Sequence, residues 1–178
     1  MQNRERIQRA SRRLRCVLTG IVWLLPVINA LIWIVINELP ELARDHMLPY
    51  FVTLPLPVSA RVMGFGVVMI PTGIAMAGVW QLVRLFGLYE QGFIFMPANV
   101  RCFRNLSRTL IWWFAAGIVS NSLLSVALTL HRPAGQRMIT LGLGSSDLTA
   151  LLLGSILAVI AWIMEEGRKL REEQDLTV

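Results

Sequence analysis

Residues 16–37 read CVLTGIVWLLPVINALIWIVIN, 22 residues without one Asp, Glu, Lys, Arg or His. At 1.5 Å rise per residue such a run makes a helix about 33 Å long, enough to cross a hydrocarbon core of about 30 Å. In lipid every backbone polar group has to bond within the segment, which makes a helix the expected form. A basic start before an apolar run also describes a cleavable signal peptide. The apolar part of a signal is only about 7–15 residues long and ends at a small-x-small site. Here the run is longer and closes on Val35-Ile36-Asn37-Glu38, so we expect a retained first span.

Three more charge-free windows follow, 62–83 and 109–130 with 22 residues each and 148–164 with 17. The whole chain is 55% hydrophobic and 16% charged, with mean hydropathy +0.59; a soluble domain carries about 25% charge. The expected fold is an all-α membrane protein of four transmembrane helices, one bundle and one domain over residues 1–178, with a polar tail at 165–178. No repeat or low-complexity tract interrupts it.

The net charge of +6 acquires meaning from its distribution. Six arginines (Arg4, Arg6, Arg9, Arg12, Arg13, Arg15) precede the first window, Arg84, Arg101, Arg104 and Arg108 lie between the second and third, and Arg168, Lys169 and Arg171 follow the fourth. The other two connections hold Arg44, Arg61, Arg132 and Arg137. Basic loops stay in the cytoplasm, so both termini and the 84–108 connection are expected inside. No basic domain exists outside the spans, and no direct nucleic-acid contact is expected. Cys16 and Cys102 are too few for a disulfide framework and fall on the expected reducing side.

The connection inside the second and third windows reads LFGLYEQGFIFMPANVRCFR (85–104). Leu82, Leu85, Phe86 and Tyr89 continue the helical period beyond Arg84. Gly92 suits the left-handed residue that ends a helix, and Pro97 suits the first turn of the next. Phe95 and Val100 would form a hydrophobic staple across Met96. The expected result is a helical elbow, with Glu90, Arg101, Arg104 and Arg108 turned to water and headgroups. Arg101, Arg104 and Arg108 share a helical face and suit lipid phosphates or an acidic partner, or serve topology alone.

The N-terminal residues Ile7, Ala10, Ser11 and Leu14 are spaced as on a surface-lying amphipathic helix. Pro26 and Pro71 are expected to bend spans one and two. The outer connection 38–61, with Pro40, Pro49, Pro55 and Pro57, is expected to be extended at 54–57 and to pack at the interface or fold over the bundle as a lid. Asp147 or a neighbouring serine should cap the fourth helix. Beyond Met164, Glu165, Lys169, Arg168 and Glu172 stand at four-residue spacings that support a solvated helix, where Lys169, Arg171 and Glu172 offer a docking surface.

The segment Val79 to Arg101, with the ending Glu166 to Val178, resembles the YoaS-like bacterial membrane family (domain of unknown function 2975). Leu82, Leu85, Phe86, Tyr89, Gly92, Ile94, Phe95, Pro97, Asn99 and Val100 match its central pattern; Met96 and Ala98 depart from the family's Ser or Thr and Glu, which removes a side-chain cap. The resemblance implies a multi-pass protein of the bacterial inner membrane. Family genes often neighbour one for a small helix-turn-helix regulator, which implies a non-enzymatic regulatory or sensing partner of such a cytoplasmic protein.

Inside the windows, Gly73 with Ala77, Ala116 with Ser120, Gly117 with Asn121, and Gly154 with Ala158 are small or polar pairs that permit close helix contact. Asn29, Ser120 and Asn121 are candidates for a polar pocket. No window holds an ionisable group, which argues against proton-coupled transport, and the serines of span three lack a base. No catalytic residue, cofactor or metal is expected; His46 with Glu38, Glu41, Asp45 and His131 lacks a recognised ligand spacing. The alternative function is a small transporter or channel subunit with a neutral polar pathway, built by homo-oligomerisation. A membrane enzyme acting on lipid comes last, for want of a reactive group.

Overall fold

The computed structural model describes residues 2–40, 52, 55–93, 96–130, 139–142 and 144–176. They form four helices, α1 (Gln2–Val35), α2 (Val58–Glu90), α3 (Pro97–Thr129) and α4 (Ser145–Leu176), and no strand among the described residues. All four are long and apolar enough to cross a membrane. At 32 to 34 residues each, they are about 50 Å long, roughly 20 Å more than a hydrocarbon core. The excess carries the charge.

The helices pack in chain order, α1 on α2, α2 on α3 and α3 on α4. No other pair brings Cα atoms within 8 Å among the described residues. The bundle is therefore an open row with α2 and α3 in its middle. Close approach is set by small residues. Gly64 of α2 lies under the Trp33 indole of α1, where a β-carbon would overlap the ring. At Gly78 a β-carbon would meet Thr109 Cγ2 at 3.2 Å, and at Gly154 it would meet Leu110 Cβ at 3.2 Å and the Ser107 carbonyl at 3.3 Å. The Ser107 hydroxyl also donates to the Gly154 carbonyl at 2.8 Å. Of the expected small pairs, Gly154 and Gly117 lie in contacts between helices, whereas Gly73 has nothing within 4 Å of its β position.

Pro26 and Pro71 lie inside α1 and α2 without ending them. Beside them, Asn29 Nδ2 donates to Thr72 Oγ1 at 3.0 Å, and that hydroxyl donates to the Val68 carbonyl at 2.8 Å. A polar bridge thus spans α1 and α2 where each helix has lost a backbone donor to proline.

At the end away from the elbow, Trp33, Ile36, Leu56, Ala60, Leu124 and Leu128 form a buried cluster drawn from three helices and the α1–α2 connection. The connection is held by Asn37, whose side chain donates to the Leu56 carbonyl at 3.2 Å and accepts from the Leu56 amide at 3.0 Å. Pro57 is extended, with φ −66° and ψ 156°, as the proline spacing predicts. The Tyr50 and Phe51 part of the expected lid, and the metal candidates Glu41, Asp45, His46 and His131, lie outside the described residues.

The apolar residues at the α1 N-terminus face away from the other helices. Ser11 is buried while Ile7 and Leu14 are exposed, and Arg12 and Arg15 reach Glu90 at 3.9 and 3.0 Å. The polar stripe faces the elbow because Glu90 draws it there. Asp147, in turn, is the third residue of α4 and not its cap. Its carboxylate accepts from the Gly144 amide at 2.8 Å, the backward arm of a capping box with glycine at the cap.

That placement brings Asp147 to α3, where its Oδ1 lies 2.6 Å from the β position of Gly117. Gly117 is eight residues, about 12 Å, inside the third charge-free window. The chain arrives there in a non-helical run. The Thr140 amide donates to Ser125 Oγ at 3.1 Å, and Asn121 Nδ2 donates to the Gly142 carbonyl at 3.4 Å. Two residues of this run thus cover four of the helix, about 3 Å each, the pitch of extended chain. Non-helical backbone at this depth needs protein partners, and the Asn121 and Ser125 side chains of α3 supply them. This also explains why the fourth window is only 17 residues long.

Candidate functional site

At the elbow α2 ends at Glu90, just before Gly92, and α3 begins at Pro97. Gly92 has φ +84°, the amide of Phe93 donates to the Leu88 carbonyl at 2.9 Å and that of Gly92 to Tyr89 at 3.0 Å. These two bonds make a Schellman ending for α2. The next carbonyl, that of Phe93, accepts from Asn99 Nδ2 at 2.8 Å, and Asn99 is completely buried. Asn99 therefore ties the first turn of α3 to the end of α2. Met96 holds the extended cap conformation with no side-chain bond, and Pro97 follows it. Leu85 and Val100 are buried, and the Phe86 and Tyr89 rings meet edge to face at 6.0 Å. Phe95, the other half of the expected staple, lies outside the described residues.

Glu90 does not face water alone: it forms the ion pairs with Arg12 and Arg15 that fasten α1 to the elbow. The arginine stripe of α3 divides. Arg104 turns to α4, 4.0 Å from Glu165, which Arg168 also holds at 3.1 Å. Arg101 lines a cavity on the other side, and Arg108 is exposed. On α4, Lys169 pairs with Glu166 at 3.5 Å, and the expected partners Glu172 and Glu173 have side chains outside the described residues. Arg171 and Glu172 belong to α4, but their side chains lie outside the described residues.

The cavity, about 570 Å³, lies between α1, α2 and α3. Its basic lining is Arg15, Arg84 and Arg101; Thr19, Gln81 and Asn105 add neutral polar groups. Sequence reasoning singled out only Arg101. The signal for the others was their position, since Arg15 immediately precedes the first window and Arg84 immediately follows the second.

Asn29, Ser120 and Asn121 do not share a hydrogen bond among the described residues: Asn29 turns to Thr72 and Asn121 to Gly142. The Ser120 hydroxyl is buried without a hydrogen-bond partner in the structure. No group of three or more His, Cys, Asp or Glu suited to a metal occurs among the described residues.

Four apolar helices in a row, joined by a basic elbow, define a multi-pass all-α membrane protein. The chain belongs to the DUF2975 family, described as a protein of unknown function, which matches residues 37–178. The match takes in α2, α3 and α4; α1, and Arg15 with it, precedes the matched segment. No curated protein and no solved structure matches the chain.

Proposed function

We propose that the chain is a non-enzymatic regulatory or sensing protein of the bacterial inner membrane, which holds a cytoplasmic partner at its elbow end. The observation that carries this reading is the overrun of both terminal helices. Arg15 and Arg12 meet Glu90, the last residue of α2, and Gln8 lies 3.7 Å from the β position of Gly92, so α1 runs along the elbow and residues 2–7 extend about 9 Å past it. Gly154 meets Ser107; from there α4 has 22 residues left and α3 only 10, leaving α4 about 18 Å longer. Two charged arms thus flank the elbow, the first strongly basic and the second mixed in sign. The thirteen-to-four distribution of basic residues favours a cytoplasmic position for them. A helix-turn-helix regulator is the partner implied by the resemblance. Co-purification of that regulator with the intact chain in mild detergent, lost on deleting residues 167–178, tests the reading; retention after the deletion contradicts it.

One observation favours the alternative of a small transporter or channel subunit: the Asp147 carboxylate lies against α3 beside Gly117, and ionisable groups at membrane depth are commonly functional. Cation flux into liposomes, abolished by Asp147→Asn, would support it.

A further inference from the structure

We infer that the cavity between α1, α2 and α3 is a binding site for the phosphate-bearing headgroup of an anionic phospholipid. Three guanidinium groups, Arg15, Arg84 and Arg101, line this one cavity. Arg15 is held by Glu90 through Nη1 at 3.0 Å, which fixes its position and leaves other N–H groups of its planar fork for a ligand. Arg84 and Arg101 form no ion pair or hydrogen bond among the described residues. Guanidinium forks match phosphate oxygens with paired charge-assisted hydrogen bonds, so three converging on one cavity select for phosphate.

The depth selects for lipid. Arg15 and Arg84 stand at the first charged positions outside their charge-free windows, the level at which headgroup phosphates lie against a hydrocarbon core. Trp80 borders the cavity and is half exposed, as aromatic residues are at membrane interfaces. The buried, unpartnered Oε1 of Gln81 suits a glycerol hydroxyl, which would donate to it, and the Asn105 amide can donate to an ester oxygen. At about 570 Å³ the volume is that of a small-molecule pocket. Arg104 and Arg108 are absent from its lining, which separates a built site from the general excess of basic charge at this end. The inference does not depend on the partner reading: it concerns the lipid contact alone.

The test is native mass spectrometry of the full chain released from detergent, titrated with phosphatidylglycerol or with phosphatidylcholine. One retained phosphatidylglycerol, favoured over phosphatidylcholine, is expected. Arg84→Gln with Arg101→Gln should weaken it by roughly tenfold or more, the loss of at least one charge-assisted contact, while Arg108→Gln leaves it unchanged. Gly87→Leu provides a variant with every charge intact. A β-carbon there meets only Arg15 Cδ and Nη1, at 4.0 Å, so the longer leucine side chain would occupy the cavity beside Arg15 and should also weaken retention. Equal binding of both lipids, or equal losses in Arg108→Gln and the double variant, would overturn the proposal. Displacement of the lipid by micromolar inorganic phosphate would overturn its lipid part and assign the arginines to a soluble anion.

Discussion

The α1–α2 contact can be tested at one atom. In Gly64→Ala the new methyl would overlap the six-membered ring of Trp33, whose Cζ2 lies 2.8 Å from the β position and whose other two nearest atoms are closer still. Trp33 is 7% exposed and packed in the cluster with Ile36, Leu56, Ala60, Leu124 and Leu128, so displacing its ring breaks those contacts. Overpacking of this kind costs about 1–3 kcal/mol. Replacing a helical glycine by alanine returns about 1 kcal/mol of propensity, so the net loss should be about 0–2 kcal/mol, measured against a gain of up to about 1 kcal/mol at unobstructed glycines. The same helix carries its own controls. Gly66 and Gly73 have nothing within 4 Å of their β positions, so Gly66→Ala and Gly73→Ala should be neutral or stabilising by up to about 1 kcal/mol. Unfolding with sodium dodecyl sulfate in mixed micelles, followed by circular dichroism, gives the series. In a Trp33→Leu background the penalty of Gly64→Ala should shrink, since the smaller side chain leaves room for the methyl. If Gly64→Ala is as stable as Gly66→Ala, the packing of α1 on α2 described above is wrong.

Other outcomes follow from single contacts. Asn99→Ala should lower stability by about 1–3 kcal/mol in the same unfolding assay, because it strips the Phe93 carbonyl of its buried donor. Asn99→Asp should be nearly as costly, since it keeps the shape and loses the N–H. Ser107→Ala should cost about 0.5–1.5 kcal/mol by removing its buried bond to Gly154. Asp147→Ala should loosen the start of α4, read as faster amide exchange at Gly144, whereas Asp147→Asn keeps an acceptor oxygen for that amide and should change it little. A small maleimide in detergent should modify the exposed Cys16 well before the buried Cys102.

The sequence was informative wherever a signal was local. Four charge-free windows gave the helices, and Gly92, Pro97 and the apolar run from Leu82 to Tyr89 gave the elbow, because each reports on backbone conformation or solvent within a few residues. Contacts between distant segments carried no such local signature. The small-pair spacing picked out Gly73, which faces open space, and passed over Gly64, which lies beneath an indole. The grouping of Arg15 with Arg84 and Arg101 depends on helix register, which no period within one segment reveals. Asp147 was expected at the cap of the fourth helix because it precedes an apolar window. Its place beside Gly117 depends on an extended approach along α3, and of the side chains that support that approach, Asn121 and Ser125, Asn121 was expected in a pocket.

The central claim is that four helices cross in succession, with the elbow and both chain ends on one side. Single cysteines at Gln91, Gln174 and Pro40, in a background lacking Cys16 and Cys102, can be exposed to a membrane-impermeant maleimide on intact cells and again after permeabilisation. The account predicts that position 40 labels on intact cells while positions 91 and 174 label together only once the membrane is opened. Labelling of position 91 on intact cells, or of positions 91 and 40 from the same side, would contradict it.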